Sequence, residues 1–168
     1  MIKDPSGVQL IPFLAPRDLP LLRAWLDRPH VTRWWGDPEE ALAHASQHPP
    51  AMHGIIALDG EPIGYVCWQS PSAEEIATAG LSALPPDHID VDIFIGEEDC
   101  IGRGIGPQVL FMVLERLECA GVSSVGLATD VDNQRARRAY EKAGFRICHV
   151  FEEGGRHMCY FTRVPTRP

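Results

Sequence analysis

The stretch HIDVDIFIGEEDCIGRGIGPQVL, residues 88–110, decides the fold. Its apolar run Ile89–Ile95 carries aspartates at alternate positions, 90 and 92, which reads as a strand. An acidic turn follows, Glu97-Glu98-Asp99, and then a glycine-rich loop, Gly102-Arg103-Gly104-Ile105-Gly106. Pro107 suits a first helical position, where its missing N–H is not needed. Leu110, Val113, Leu114 and Leu117 then recur at i, i+3, i+4 and i+7, so a helix is expected over 107–120. The result is strand, glycine loop, helix.

Two readings of the loop stand. Successive backbone N–H groups ahead of a helix make an anion-binding nest, aided by the helix dipole. The same glycines also suit a plain flexible turn. The loop is not a dinucleotide fingerprint, because Pro107 stands where the third glycine is required. It is not a P-loop either, since no lysine lies near.

Outward from this stretch the chain alternates helix and strand signals. A strand is expected at Val8–Pro12 and a helix over 18–26, with Asp18 as its N-cap. Residues 30–40, HVTRWWGDPEE, break the pattern with paired tryptophans and a Gly-Asp-Pro turn, and a short helix begins near Pro38. Asp59-Gly60 between two apolar runs is a hairpin signal. Residues 70–87 read as a loop. Beyond the central helix come a strand over 123–129, a helix over 134–143 closed by Gly144, and strands over 145–151 and 157–164. The order β-α-α-β-β-β-α-β-α-β-β is that of a single mixed α/β (α+β) domain.

Composition narrows the function. With 168 residues, 45% of them apolar, the chain can bury one core. No apolar run is long enough to cross a membrane, and the first residues, MIKDPSGVQL, lack a signal-peptide pattern. A soluble cytoplasmic protein is expected. The net charge of −8 argues against nucleic acid as a partner. It fits a cationic partner, and it equally fits an acidic surface kept for solubility. The five cysteines form no CxxC pair and the seven histidines show no ligand spacing. Buried reduced thiols are expected, and no metal.

A second motif bears on the loop. Residues 133–145 read NQRARRAYEKAGF. Together with the upstream loop, this segment resembles the GNAT superfamily of acetyl-coenzyme A-dependent N-acetyltransferases. The resemblance implies the GNAT fold, a central mixed, mostly antiparallel sheet flanked by helices. It implies acetyl-CoA as co-substrate, held by Ile95, Arg103, Gly104, Ile105, Gly106, Asn133 and Ala136. It places Tyr140 to protonate the leaving thiolate, although this tyrosine also suits packing of its helix on the sheet. The family usually carries Gln or Arg where Ile101 stands here, so Arg103 is read as a substitute phosphate contact or as a surface arginine.

More of the chain resembles one branch, the aminoglycoside N-acetyltransferases of the 6′ type. The similarity includes RPHVTRWWGDPEE, GEPIGYV, IDVDIFIGEEDCIGRGIG and ATDVDNQRARRAYEKAGF. It implies that Asp90 engages the acceptor amine and that Asp130 is a second substrate-side carboxylate. It makes Trp34 and Trp35 part of the acceptor wall, with core packing as the other reading. Asp92 stands where relatives often carry Gln. The implied function is acetylation of an aminoglycoside, at the 6′ amine or at the 2′ amine of a kasugamycin-like drug, conferring antibiotic resistance. Acetylation of a protein N-terminus or a siderophore hydroxylamine, and a non-catalytic coenzyme A-binding module, are the alternatives. Many members of the superfamily dimerise through terminal strands, so a homodimer is one expectation.

Elementary chemistry is compatible with these roles. An aspartate has an ordinary pKa of about 3.9, so it is a weak base for an ammonium but orients an amine well. The two-residue period puts Asp90 and Asp92 on one strand face, with Ile89, Val91, Ile93 and Ile95 opposite. Two carboxylates about 7 Å apart repel unless cations meet them. Glu74, Glu75, Asp87, Glu97, Glu98 and Asp99 either widen an acidic basin or are solvated loop charges. His88 lies beside the proposed site and is given no role.

Overall fold

A computed structural model of the chain describes residues 7–163. The chain divides into two compact units. The first takes Met1–Cys67 and Ile93–Val109, the second Trp68–Asp92 and Leu110–Pro168. Strand order through the sheet is β1-β2-β3-β4-β5-β7-β6. Here β1 is Val8–Pro12, β2 His53–Leu58, β3 Glu61–Gln69, β4 Ile89–Ile95, β5 Val125–Asp130, β6 Arg146–Glu153 and β7 Arg156–Arg163. Strand β4 belongs to both units, with Ile93 as the first residue on the first unit's side.

In the first unit β1, β2 and β3 form an antiparallel meander. The β2–β3 turn is Asp59-Gly60, as expected. Both residues have positive φ, 52° and 89°, and that conformation matches the twist of a hairpin. Helices α1 (Ala15–Leu26), α2 (Pro29–Trp35) and α3 (Pro38–Gln47) precede β2. Their apolar faces join a core of Phe13, Leu22, Trp25, Leu26, Val31 and Leu42 with Ile55 and Tyr65.

Three expectations are corrected here. Asp18 is not the N-cap of α1, which starts three residues earlier at Ala15. Its buried carboxylate instead reaches back to the N–H of Leu14 (2.8 Å) and pairs with Arg17. Residues 30–40 are not a break throughout. Pro29 opens α2, Gly36 ends it at φ 97°, and Asp37 caps α3 by accepting from Glu39 and Glu40. Buried thiols are the exception, because only Cys67 and Cys159 are buried, while Cys119 and Cys148 are exposed.

In the second unit β5 pairs parallel to β4, with Asp90 opposite Gly126. Helix α5 (Ile105–Cys119) supplies the crossover that a parallel pair requires. Strand β7 pairs antiparallel with β5 and with β6. Helix α6 (Gln134–Lys142) ends at Gly144, φ 87°, as expected. The segment 70–87 is more than a loop. It contains α4 (Ala73–Thr78), fixed by a capping box in which Ser72 and Glu75 exchange hydrogen bonds. Residue 164, the expected end of the last strand, lies outside the described residues.

Candidate active site

Helix α5 begins at Ile105, two residues ahead of the expected start at Pro107, so the glycine loop feeds straight into its first turn. Gly102 and Gly104 both have positive φ, 76° and 78°, and a Cβ at either would meet nothing. The backbone there is open and lies at the positive end of a 15-residue helix. This arrangement fits a pyrophosphate. Arg103 is exposed. The carbonyl of Ile95 lies 3.2 Å from His30 Nε2.

Asn133 is the N-cap of α6. Its side-chain oxygen accepts from the N–H of Ala136 at 3.2 Å, which leaves the amide nitrogen as its donor. Tyr140 is buried and meets Phe161 edge-on, with ring centroids 5.5 Å apart. Burial first, then the charge of Asp92, pushes its phenol above the usual range, so it stays protonated at neutral pH. The packing role is thus present in the structure.

Asp90 is held in a network that the sequence did not suggest. Tyr160 donates to its Oδ1. His88 Nε2 lies 3.1 Å from the same oxygen and 2.6 Å from the Tyr160 hydroxyl. His88 Nδ1 lies 2.7 Å from Ser124 Oγ. His88 is 2% exposed, while Asp90 keeps 22% of its side chain accessible. Among the described residues, Oδ2 of Asp90 receives no hydrogen bond. One signal for His88 was available, since its i, i+2 spacing from Asp90 is that of one strand face. Ser124 and Tyr160 arrive only through the register of β4, β5 and β7.

The other carboxylates differ. Asp92 accepts from Gln69 Nε2 at 2.9 Å. Asp130 uses both oxygens, one on the N–H of Asp132 and one on Arg156 Nε, and its pKa is lowered by these bonds, that of Asp132 first. Glu97 and Asp87 are not loose basin charges. Glu97 binds Trp25 and Arg28, and Asp87 binds Ser123. In the first unit Trp35 packs on the core, its ring 4.7 Å from Phe94, whereas Trp34 is partly exposed beneath the Arg33 guanidinium. Among the described residues no group of three or more His, Cys, Asp or Glu could hold a metal ion. Among the same residues, no helix is long and apolar enough to cross a membrane.

The family model for the acetyltransferase (GNAT) domain matches residues 15–152. The chain belongs to the GNAT acetyltransferase family. This acetyltransferase is 28% identical over 149 residues to the aminoglycoside N(6′)-acetyltransferase type 1 of Klebsiella pneumoniae, covering 79% of this chain and 71% of that protein. It is 30% identical over 128 residues to a mycothiol acetyltransferase of Parafrankia, covering 73% of this chain and 40% of that protein. A solved structure of AAC(6′)-Ib with ribostamycin and coenzyme A is similar, at TM-score 0.77 and 26% identity, with 94% of this chain and 93% of that chain covered. The mixed α/β sheet with flanking helices is the GNAT fold.

Proposed function

We propose that this N-acetyltransferase moves the acetyl group of acetyl-CoA onto an amino group of an aminoglycoside antibiotic. The 6′ amine is the first choice of position, and the 2′ amine of a kasugamycin-like drug is the other. The biological role that follows is antibiotic resistance in the cytoplasm. The observation that carries this reading is Asp90, a half-buried carboxylate with one oxygen pinned and the other receiving no hydrogen bond among the described residues. The relatives that act on aminoglycosides support the acceptor class.

Bound acetyl-CoA supplies an activated thioester. The backbone of Gly104, Ile105 and Gly106, with Arg103, holds the pyrophosphate. Ile95, Asn133 and Ala136 hold the pantetheine arm, Asn133 through its spare amide N–H. Asp90 Oδ2 accepts a hydrogen from the acceptor amine, orients its lone pair toward the carbonyl carbon and takes up the released proton through water. As the C–N bond forms and the C–S bond breaks, Tyr140 gives its phenolic proton to the departing sulfur, and the proton taken up by Asp90 is returned through water to restore the phenol. Trp34 and Trp35 wall the acceptor, Asp92 meets another of its ammonium groups, and Asp130, while bonded to Asp132 and Arg156, adds negative charge on the same side. The net charge of −8 favours approach of such a polycation.

The test is thiol release from acetyl-CoA with a panel of acceptors: 6′-amino aminoglycosides, kasugamycin, a basic peptide and a hydroxylamine. Turnover is expected with one aminoglycoside class, and mass spectrometry of the product then fixes the position. Silence on every aminoglycoside, with turnover on peptide or hydroxylamine, would overturn the acceptor and leave the family standing.

A further inference from the structure

The polar cluster beneath Asp90 is built into the second unit rather than added to its surface. His88 and Ser124 are 2% and 3% exposed, and Tyr160 is 3% exposed. Gly126, opposite Asp90 on β5, leaves the room. A Cβ there would lie 2.3 Å from the Tyr160 hydroxyl oxygen and 2.8 Å from His88 Nε2. Burying this much polarity is costly unless every group is satisfied.

Counting protons assigns the network. Tyr160 has one hydroxyl proton, and it goes to Asp90 Oδ1. Burial, then the Asp90 charge, keeps that phenol protonated. The Tyr160 oxygen therefore accepts from His88, so Nε2 carries the hydrogen. Nε2 is also 3.1 Å from Asp90 Oδ1, so its one hydrogen is shared between the two oxygens. Nδ1 of the neutral ring is then an acceptor, and Ser124 Oγ–H donates to it. Both inner donors converge on one oxygen of Asp90.

We infer that His88 is a positioning residue: backed by Ser124 and joined to Tyr160, it fixes Asp90 Oδ1 so that Oδ2 is presented to the acceptor amine. The inference rests on the role proposed for Asp90. It adds that the aspartate's aim is set by a buried relay reaching across β4, β5 and β7, not by the strand alone. The other titratable groups that act on this junction are Asp92 on β4 and Cys148 on β6.

Three measurements test it. First, long-range ¹H–¹⁵N spectra of the wild-type protein report the His88 tautomer without any acceptor. The Nε2–H form is expected, and the Nδ1–H form would overturn the relay. Second, His88→Phe and Tyr160→Phe are assayed with the best acceptor of the panel, or by slow thioester hydrolysis if none turns over. Each should lower kcat by about 10- to 100-fold while KM for acetyl-CoA stays within about twofold. The double variant should lose little more than the worse single one, because the two act as a unit. His88→Gln, whose amide N–H can replace Nε2–H, should recover part of the loss. Third, the kcat/KM profile against pH should change shape in Tyr160→Phe, since a donor that touches the carboxylate is removed.

A merely structural role predicts fewer folded molecules, an unmoved pH profile and normal kcat per folded molecule. That result, or kcat within twofold in both single variants, overturns the inference. Asp90→Asn separates this failure from that of the parent reading. If Asp90→Asn is inactive and His88→Phe is normal, only the positioning fails. If Asp90→Asn is fully active, the role of Asp90 fails, and the inference with it.

Discussion

Two carboxylates flank the same strand and do opposite things. Asp90, near the start of β4, takes both of its donors on one oxygen. Glu97, just past its end, has one donor per oxygen: Trp25 Nε1 at 2.8 Å on Oε1 and Arg28 Nη1 at 2.7 Å on Oε2. The same guanidinium nitrogen also reaches the Gly96 carbonyl at 2.8 Å. Glu97 is a fastener, joining the chain after β4 to α1 and the start of α2. Asp90 is half-buried on a fixed mount and, in the role proposed above, is the reagent. What separates them is whether the second oxygen is bonded among the described residues, as it is in Glu97 and not in Asp90.

The sharpest way to break this comparison is Asp90→Ala. Turnover should fall by about 100-fold or more, the range of a lost general base or orienting group. Acetyl-CoA affinity by calorimetry should stay within a few-fold. Unchanged turnover would make Asp90 one more structural carboxylate.

At the other end, Gly96→Ala should act on stability. A Cβ there would lie 2.3 Å from the fully buried Trp25 ring, so the indole must move at a cost of about 2–3 kcal/mol. Urea unfolding measures it, and an unshifted midpoint would mean that the indole has room to give.

Glu97→Ala removes the fastener itself. Both Glu97 and Arg28 are about one-third exposed, so solvent takes over part of the lost pairing and a loss of about 1–2 kcal/mol is expected. Activity per folded molecule should hold. A selective fall in kcat would move Glu97 into the acceptor site.

The smallest effect distinguishes titration in the first unit from loss of the Glu97 pair. His53 is buried against Tyr65, and its ring lies 5.1 Å from that of His48. Burial, then the neighbouring His48 and His44, lowers its pKa from 6.5 to about 4. The unfolded chain therefore binds the extra proton first, and stability falls as pH drops from about 6.5 toward 4. By pH 5.5 the loss should be about 1 kcal/mol. The Glu97 pair, whose carboxylate pKa is lowered by Arg28 and then Trp25, contributes fully above about pH 4.5 and is lost only below it. Urea midpoints that are flat from pH 7.5 to 5.5 would remove the His53 term.

Much of this was legible because it is local. Asp59-Gly60 and the Gly144 stop each state their geometry within a few residues. The Ser72-x-x-Glu75 box was equally readable, but a six-residue helix carries too short an apolar pattern to separate it from a loop. Helix α2 was hidden by its tryptophans and by the Gly-Asp-Pro that ends it and opens the next helix. The loop charges misled for another reason. Nothing near Glu97 in sequence announces Arg28, which lies 69 positions away. The positions of the coenzyme and acceptor residues came from resemblance. The setting of Asp90 did not, because a buried relay needs three strands in register before its members meet.

Gly126 has a genetic consequence. Every replacement of a glycine introduces a Cβ, and here that atom falls on the Tyr160–His88 junction. The position is therefore closed to gradual drift. A lineage or a laboratory selection that alters it has to alter Tyr160 or His88 as well, so second-site suppressors of Gly126 variants should cluster at those two codons.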